Sequence, residues 1–325
     1  MPDLDVRAIR SEITKQKAEW KPKQHATARL TAQRRARRLG VVLDEGRLAE
    51  LKKTPDPDMV RLVAEFRGLR DPETGEEAAD VRGRGELEAD AFEDALDTSI
   101  AAAVGRVLAR RPAEVDWRRR RGRRNVTPVK DQGFCGSCVS FGTTAVLESM
   151  LLIEHHAEFD LSEAELLFCG GGDCNGWWPD SAVDYLRDRG LAHEQCFRYR
   201  DRNMPCKTCK GRDREAIRIR KRRTIWGMEK RKAYLASVGP MMAVFEVYDD
   251  FYAYGSGVYS HVHGPLTGLH CVAVVGYDDQ NHSWLCKNSW GTSWGEQGYF
   301  RIRYGQCEID KGYPFWGIAG TQWLL

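Results

Sequence analysis

The first 134 residues contain no cysteine: all ten in this 325-residue chain lie between Cys135 and Cys307. That absence excludes a disulfide framework from the N-terminal part and marks a boundary ahead of Cys135. Long apolar runs are missing too, so no membrane span is expected. The first thirty residues mix acids, bases and polar groups without an apolar core, so no signal peptide is expected. Charge of one sign is scarce. Fifty Lys and Arg against 47 Asp and Glu leave a net +3, which removes any bulk electrostatic case for nucleic acid or membrane. No phosphate loop or dinucleotide fingerprint appears, and no cofactor is expected. Ten cysteines suggest disulfides and an oxidising setting, which conflicts with the missing export signal and leaves the compartment open.

What is present is length for two or three core-sized units and one unusual stretch. Gln132 to Ser149 reads Q-G-F-C-G-S-C-V-S-F-G-T-T-A-V-L-E-S. The apolar run from Cys138 through Ile153 predicts a helix buried almost all round. Cys138 falls in its first turn, where free backbone N–H groups and the helix dipole favour a thiolate, the nucleophilic form. Alone, a cysteine on a buried helix is more often inert packing.

Three further blocks follow. Leu161 to Pro179 reads L-S-E-A-E-L-L-F-C-G-G-G-D-C-N-G-W-W-P, Leu269 to Tyr277 reads L-H-C-V-A-V-V-G-Y, and Lys287 to Ile302 reads K-N-S-W-G-T-S-W-G-E-Q-G-Y-F-R-I. With Q-G-x-C-G-S-C, these four ordered blocks resemble the papain-like cysteine proteases over residues 112–325. The resemblance implies an α+β fold of two lobes, a helical lobe over about 125–235 and an antiparallel β-barrel-like lobe over about 236–310, with the active site between them. The order of elements agrees: helices come first, then short alternating strands at Met241–Val247, Gly257–Ser260, Leu269–Tyr277, Ser283–Asn288 and Gly298–Tyr304.

The same resemblance implies a catalytic set. Cys138 would be the thiolate and His270 the imidazolium beside it, supplying nucleophile and proton donor. Asn288 would orient the imidazole through its side-chain oxygen, with Trp290 and Trp294 shielding that bond. The Gln132 amide and the Cys138 N–H would form the oxyanion hole. Gly176, Trp177, Trp178, Pro179, Val244 and Gly268 match positions lining the substrate groove, and their character implies an apolar side chain two residues before the scissile carbonyl. Two positions depart from the family: Val139 replaces a tryptophan, and Trp177 replaces a glycine whose backbone pairs with substrate, so an aromatic wall or a narrower cleft is expected. Cys135 with Cys174 resembles one family disulfide; Cys169 with Cys206 or Cys209 resembles a second, with Cys196 joining the remaining cysteine. Cys307 lacks its usual partner, and Cys271 and Cys286 read as small buried hydrophobes. Cys206-Lys-Thr-Cys209 is a lone C-x-x-C beside cysteines already claimed, so no metal is expected.

Residues 1–111 lie outside the resemblance. Arg7–Trp20, Ala26–Leu39, Glu45–Lys53 and Pro57–Phe66 favour helix, with Asp44 and Asp56 as N-caps. Leu69–Gly85 reads as a connector, and Glu86–Ala109 as a further helix. An inhibitory prosegment of unfamiliar sequence and an independent helical domain both fit; its placement favours the prosegment. Arg110–Arg124 and Arg212–Trp226 are strongly basic, the first a surface loop, processing site or patch for an acidic partner, the second a half-exposed strand. The expectation is a monomeric thiol endopeptidase made as a zymogen. A transpeptidase for one dedicated peptide and a peptide-binding homologue without turnover are the alternatives.

Overall fold

The computed structural model describes residues 4–53, 111–120 and 122–323. The sequence expectations for 57–66, 69–85 and 86–109, and the N-cap at Asp56, lie outside these residues.

The N-terminal region is only partly helical. α1 (Val6–Gln16) is capped by Asp5, whose carboxylate accepts from Arg7 N–H and Ala8 N–H. It stops at Lys17, which takes a left-handed conformation, four residues short of the expected helix end at Trp20 because that tryptophan starts β1 (Trp20–Pro22). β1 then adds to the edge of the sheet at Gly257. Trp20 explains the choice: it is 2 % exposed, packs against Tyr254 and Tyr259, and donates its indole N–H to the Ser260 carbonyl. A 3-10 turn (Thr27–Arg29) and α2 (Ala32–Ala36) replace the single helix expected over 26–39. α3 spans Glu45–Lys53, as expected, with Asp44 accepting from Arg47 N–H.

β2 (Glu114–Asp116) opens the second part and pairs with a later strand, while Trp117 donates to the Leu235 carbonyl. α4 (Cys138–His155) is the central helix, buried from Cys138 through Leu151. Gly142 lets the sheet close on it, since a Cβ there would stand 3.1 Å from the Cys271 sulfur. α5 (Glu163–Gly170) is capped by Ser162 Oγ, which accepts from Glu165 N–H at 3.0 Å. The reciprocal half of a capping box does not form, because the Glu165 carboxylate turns inward to Arg212 and Ala192 N–H. α6 (Pro179–Asp188) starts on its proline, and the four-residue α7 (Arg212–Glu215) leads into β3 (Ile217–Ile225). α8 (Met228–Ser237) follows.

The remaining strands are β4 (Met241–Tyr248), β5 (Tyr254–Tyr259), β6 (Leu266–Asp278), β7 (Ser283–Lys287), β8 (Tyr299–Arg303) and β9 (Phe315–Trp323). Their order is β1-β5-β8-β7-β6-β4-β9-β3, with β2 added beside β6. Pairing is antiparallel except between β5 and β8. The barrel-like lobe is thus an open sheet among the described residues, and β9 carries it past residue 310 to pair with β3. The two kinds of structure form one α+β body whose apolar interior runs from α4 into the sheet.

Three disulfides staple the helical side: Cys135–Cys174, Cys169–Cys206 and Cys196–Cys209. Cys138, Cys271, Cys286 and Cys307 are free and buried. Among the described residues, no cluster of metal-ligand type appears and no helix is long and apolar enough to cross a membrane.

Candidate active site

Cys138 is the first residue of α4 and has no exposed surface. Burial pushes its thiol up to about 12, outweighing the backbone N–H groups of Cys271, Gly40, Val139 and Cys138 itself, which favour a thiolate. Cys271 immediately follows His270 on β6, so the head of the helix meets the strand that carries the histidine. The imidazole is buried as well, and burial drives it down to about 4, against the raising effect of Asn288 and with a further push from the Arg38 charge. Its Nε2 lies 2.8 Å from Asn288 Oδ1. Its Nδ1 has no hydrogen-bond partner among the described residues. Trp290 tilts over the ring at 4.9 Å, Trp294 meets Trp290 edge-on at 5.1 Å, and both indoles are buried.

Gln132 is held at both ends. Its N–H donates to the Ser289 carbonyl at 2.9 Å, Ser289 Oγ donates to Gln132 Oε1 at 2.6 Å, and Nε2 donates to the Cys135 carbonyl at 2.8 Å, which fixes the direction of its second N–H. Lys130, two residues earlier, sits among Glu148, Asp160 and Glu163 and ties this segment to α4 and α5.

Residues 38–42 of the N-terminal region occupy the groove beside these groups. Gln132 Nε2 donates to the Arg38 carbonyl at 3.1 Å. Trp177 N–H donates to the Gly40 carbonyl at 2.9 Å and Val42 N–H to the Trp177 carbonyl at 3.0 Å, a parallel bridge centred on Val41. Leu39 rests on Gly268, where a Cβ would come within 3.0 Å of Leu39 Cδ1; Gly268, at φ +147°, has the conformation glycine tolerates. Gly40 lies against Gly136 so closely that a Cβ on it would stand 1.7 Å from the Gly136 carbonyl oxygen. Arg38 bonds Asp131 at 3.2 Å and covers the Phe134 ring, while Arg35 bonds Asp249 and covers Tyr252.

Of the groove residues read from sequence, Gly176, Trp177 and Gly268 thus touch the N-terminal segment. Trp178, Pro179 and Val244 are buried; Trp178 meets Trp316 edge-on, and Val244 pairs with Cys271 across β4 and β6. The Trp177 ring does not form a wall across the cleft. It folds back onto Gly170 and Gly172, whose Cβ positions it nearly fills, and only its backbone faces the groove. The sequence reading gave no sign of Arg38, Leu39 or Gly40 as cleft residues. Ser289 was legible only as part of N-S-W-G.

Residues 111–315 match the family model described as papain family cysteine protease. The chain belongs to the papain family of cysteine proteases. Relatives include a pro-cathepsin H of Medicago truncatula, 36 % identical over 62 % of this chain and 61 % of that protein. The thiol protease aleurain of Arabidopsis thaliana is 35 % identical over 62 % and 60 %. The match spans about three-fifths of the length of these curated relatives. Solved structures with the same fold include a procathepsin B from Trypanosoma congolense (TM-score 0.71, 23 % identity, 98 % of this chain and 99 % of that one). A recombinant stem bromelain precursor also shares it (TM-score 0.67, 21 % identity, 97 % and 88 %). Both are precursor forms by name, and their likeness extends over the N-terminal region.

Proposed function

We propose that the protein is a cysteine endopeptidase synthesised as a zymogen, with Cys138, His270, Asn288 and Gln132 as its catalytic set and residues 1–111 as its inhibitory segment. The observation that carries this reading is the path of Arg38 to Val42. That stretch uses the Gln132 amide and the Trp177 backbone, the groups a polypeptide substrate would need. Its Arg38 carbonyl takes the Gln132 amide, and Gly40 packs against the Gly136 backbone just ahead of Cys138. An occupant held in that way excludes substrate.

In the covered state burial keeps both thiol and imidazole neutral. Removing the segment would return water to the groove and relieve the desolvation that suppresses the charged pair. The thiolate would then add to the scissile carbonyl carbon, and the Gln132 amide with the Cys138 N–H would bind the oxyanion. His270 would give its proton to the leaving amine, forming a thioester on Cys138. Water, deprotonated by the same imidazole, would release the acid and regenerate the thiol. Gln132→Ala is expected to lower kcat by roughly 100-fold with little change in KM, measured on a fluorogenic peptide with the activated enzyme. A KM effect alone would argue against the oxyanion role. Acyl transfer to an amine and binding without turnover remain the less favoured readings.

The segment's grip should also depend on pH. His25 is buried against Trp294, with Nε2 3.1 Å from the Tyr254 carbonyl and Nδ1 unpartnered among the described residues. Burial, with smaller contributions from Lys23 and Arg38, lowers its pKa to about 4. A histidine so depressed adds docking stability that is fully present above about 6.5 and is lost as pH falls toward 4. The loss is worth up to about 2 kcal/mol after discounting for partial solvation. Active-site labelling of the intact chain should therefore accelerate as pH drops from 7 to 4.5, and His25→Gln should flatten that profile. An unchanged profile in the variant would remove His25 from the account.

A further inference from the structure

The two basic stretches of the sequence have different fates. In the first, Arg118 forks onto Asp116, Arg120 covers Trp117 and reaches the Ala236 carbonyl, Arg123 meets His156, and Arg124 pairs with Glu158. Those arginines are absorbed by the fold. The second, Arg212–Trp226, belongs to a longer basic segment that is only partly absorbed: Arg187, Arg212 and Arg222 pair with Asp184, Asp188, Glu165 and Asp180. Residues 187–223 hold fourteen Lys and Arg against five Asp and Glu, an excess of nine in a chain whose total excess is three. The cations that no carboxylate pairs repel one another, and a bound anion would relieve that.

Part of this stretch surrounds a groove of about 700 Å³ on the helical side, lined by Arg189, Thr208, Arg212, Asp213 and Arg214 and by the Cys169–Cys206 and Cys196–Cys209 bridges. Arg212 fixes the wall: it donates to Glu165, to the Arg189 carbonyl and to the Gly190 carbonyl. Asp213, the one acid in the lining, is paired with Arg212. Arg189 and Arg214 are exposed on the rim, as are Lys207 and Lys210 beside it, and among the described residues no carboxylate pairs with these four. The two disulfides hold the rim segments in place, so the cations stay gathered without a counter-charge.

We propose that this groove is a binding site for a compact oligoanion carrying closely spaced sulfate or phosphate groups. The volume suits a ligand of small-molecule size, and guanidinium forks match tetrahedral oxyanions in pairs. A single-stranded nucleic acid fits less well. The only aromatic in the lining is Tyr185, whose hydroxyl is engaged by Glu165, so there is no stacking platform. A lipid surface fits less well too: the large hydrophobics exposed among the described residues are Val42 and Leu266, and neither lines the groove.

The test is calorimetric titration of the full chain with sucrose octasulfate and, separately, inositol hexakisphosphate, at about 50 and 200 mM NaCl. Saturable binding of at least one, weakening with salt, is expected, and the ester that binds more tightly identifies the ligand's source. Arg189→Glu combined with Arg214→Glu should weaken it by about tenfold or more. Arg10→Glu, at an exposed cation on α1, should change it less than about twofold. Circular dichroism melts would verify that the double variant folds. The proposal is overturned if neither anion binds, if both reversals cost the same, or if a glutamate oligomer of equal charge binds as tightly as either ester.

Discussion

Gly40→Ala should abolish the latency of the full chain, raising hydrolysis of a fluorogenic peptide by roughly 100-fold or more over the wild-type precursor. The expectation follows from one short contact. An alanine Cβ would stand 1.7 Å from the Gly136 carbonyl oxygen and 2.3 Å from its carbon, both backbone atoms next to the Cys135–Cys174 bridge. No rotamer eases such a clash, so the segment must lift. Lifting it breaks the hydrogen bond from Trp177 N–H to the Gly40 carbonyl and draws Leu39 from Gly268. Lost packing and hydrogen bonds of this kind amount to about 3 kcal/mol, enough for the predicted factor. Gly46→Ala provides the control. It lies within α3, its nearest neighbour would be Asp44 Oδ1 at 3.6 Å, and latency should be unchanged. If Gly40→Ala stays as silent as the wild type, the segment over the cleft is not what restrains the enzyme.

Cys138→Ala should remove activity altogether, by more than about 10⁴-fold in kcat, while the fold persists. The side chain lost is small and apolar in its buried state, so the cost in stability should be about 1 kcal/mol. The other free cysteines give the contrast. Cys271, Cys286 and Cys307 are buried too, and burial raises each thiol above its ordinary value. Among these four, Cys138 alone heads an α-helix and has backbone N–H groups that favour its thiolate. Alanine at Cys286 or Cys307 should leave kcat within a few-fold of wild type. Residual hydrolysis by Cys138→Ala at a tenth of the wild-type rate would exclude it as nucleophile.

How much of this was readable beforehand depends on the kind of signal. The central helix announced itself because nearly every residue from Val139 to Leu151 is buried, and strands β4, β6 and β7 because their apolar residues are short runs bounded by turns. The cleft occupant did not. Leu39 to Val42 binds through backbone N–H and C=O groups, which every residue type carries, so no pattern of side chains records it. Gly40 merely followed the expected helix end at Leu39, although its lack of a side chain is what allows the approach to Gly136. α8 and β9 were missed because Arg231 is buried against carbonyls of Ile225, Asp310 and Tyr313, and because β9 is held by its pairing with β3 and β4. Trp177 shows the same limit from the other side. Its letter suggested an obstruction, but two glycines on the end of α5 and beyond it leave a slot for the ring. The charged thiolate–imidazolium pair implied by the family resemblance is likewise not the form that burial favours under the covering segment.

The most direct test of the central claim is mass-spectrometric mapping of an epoxide probe on the intact chain and on material from which residues 1–110 have been removed. The account predicts no label on the intact chain at neutral pH, and label on Cys138 alone after removal. Equal labelling of Cys138 in both forms, or label on another cysteine in the shortened form, would contradict it.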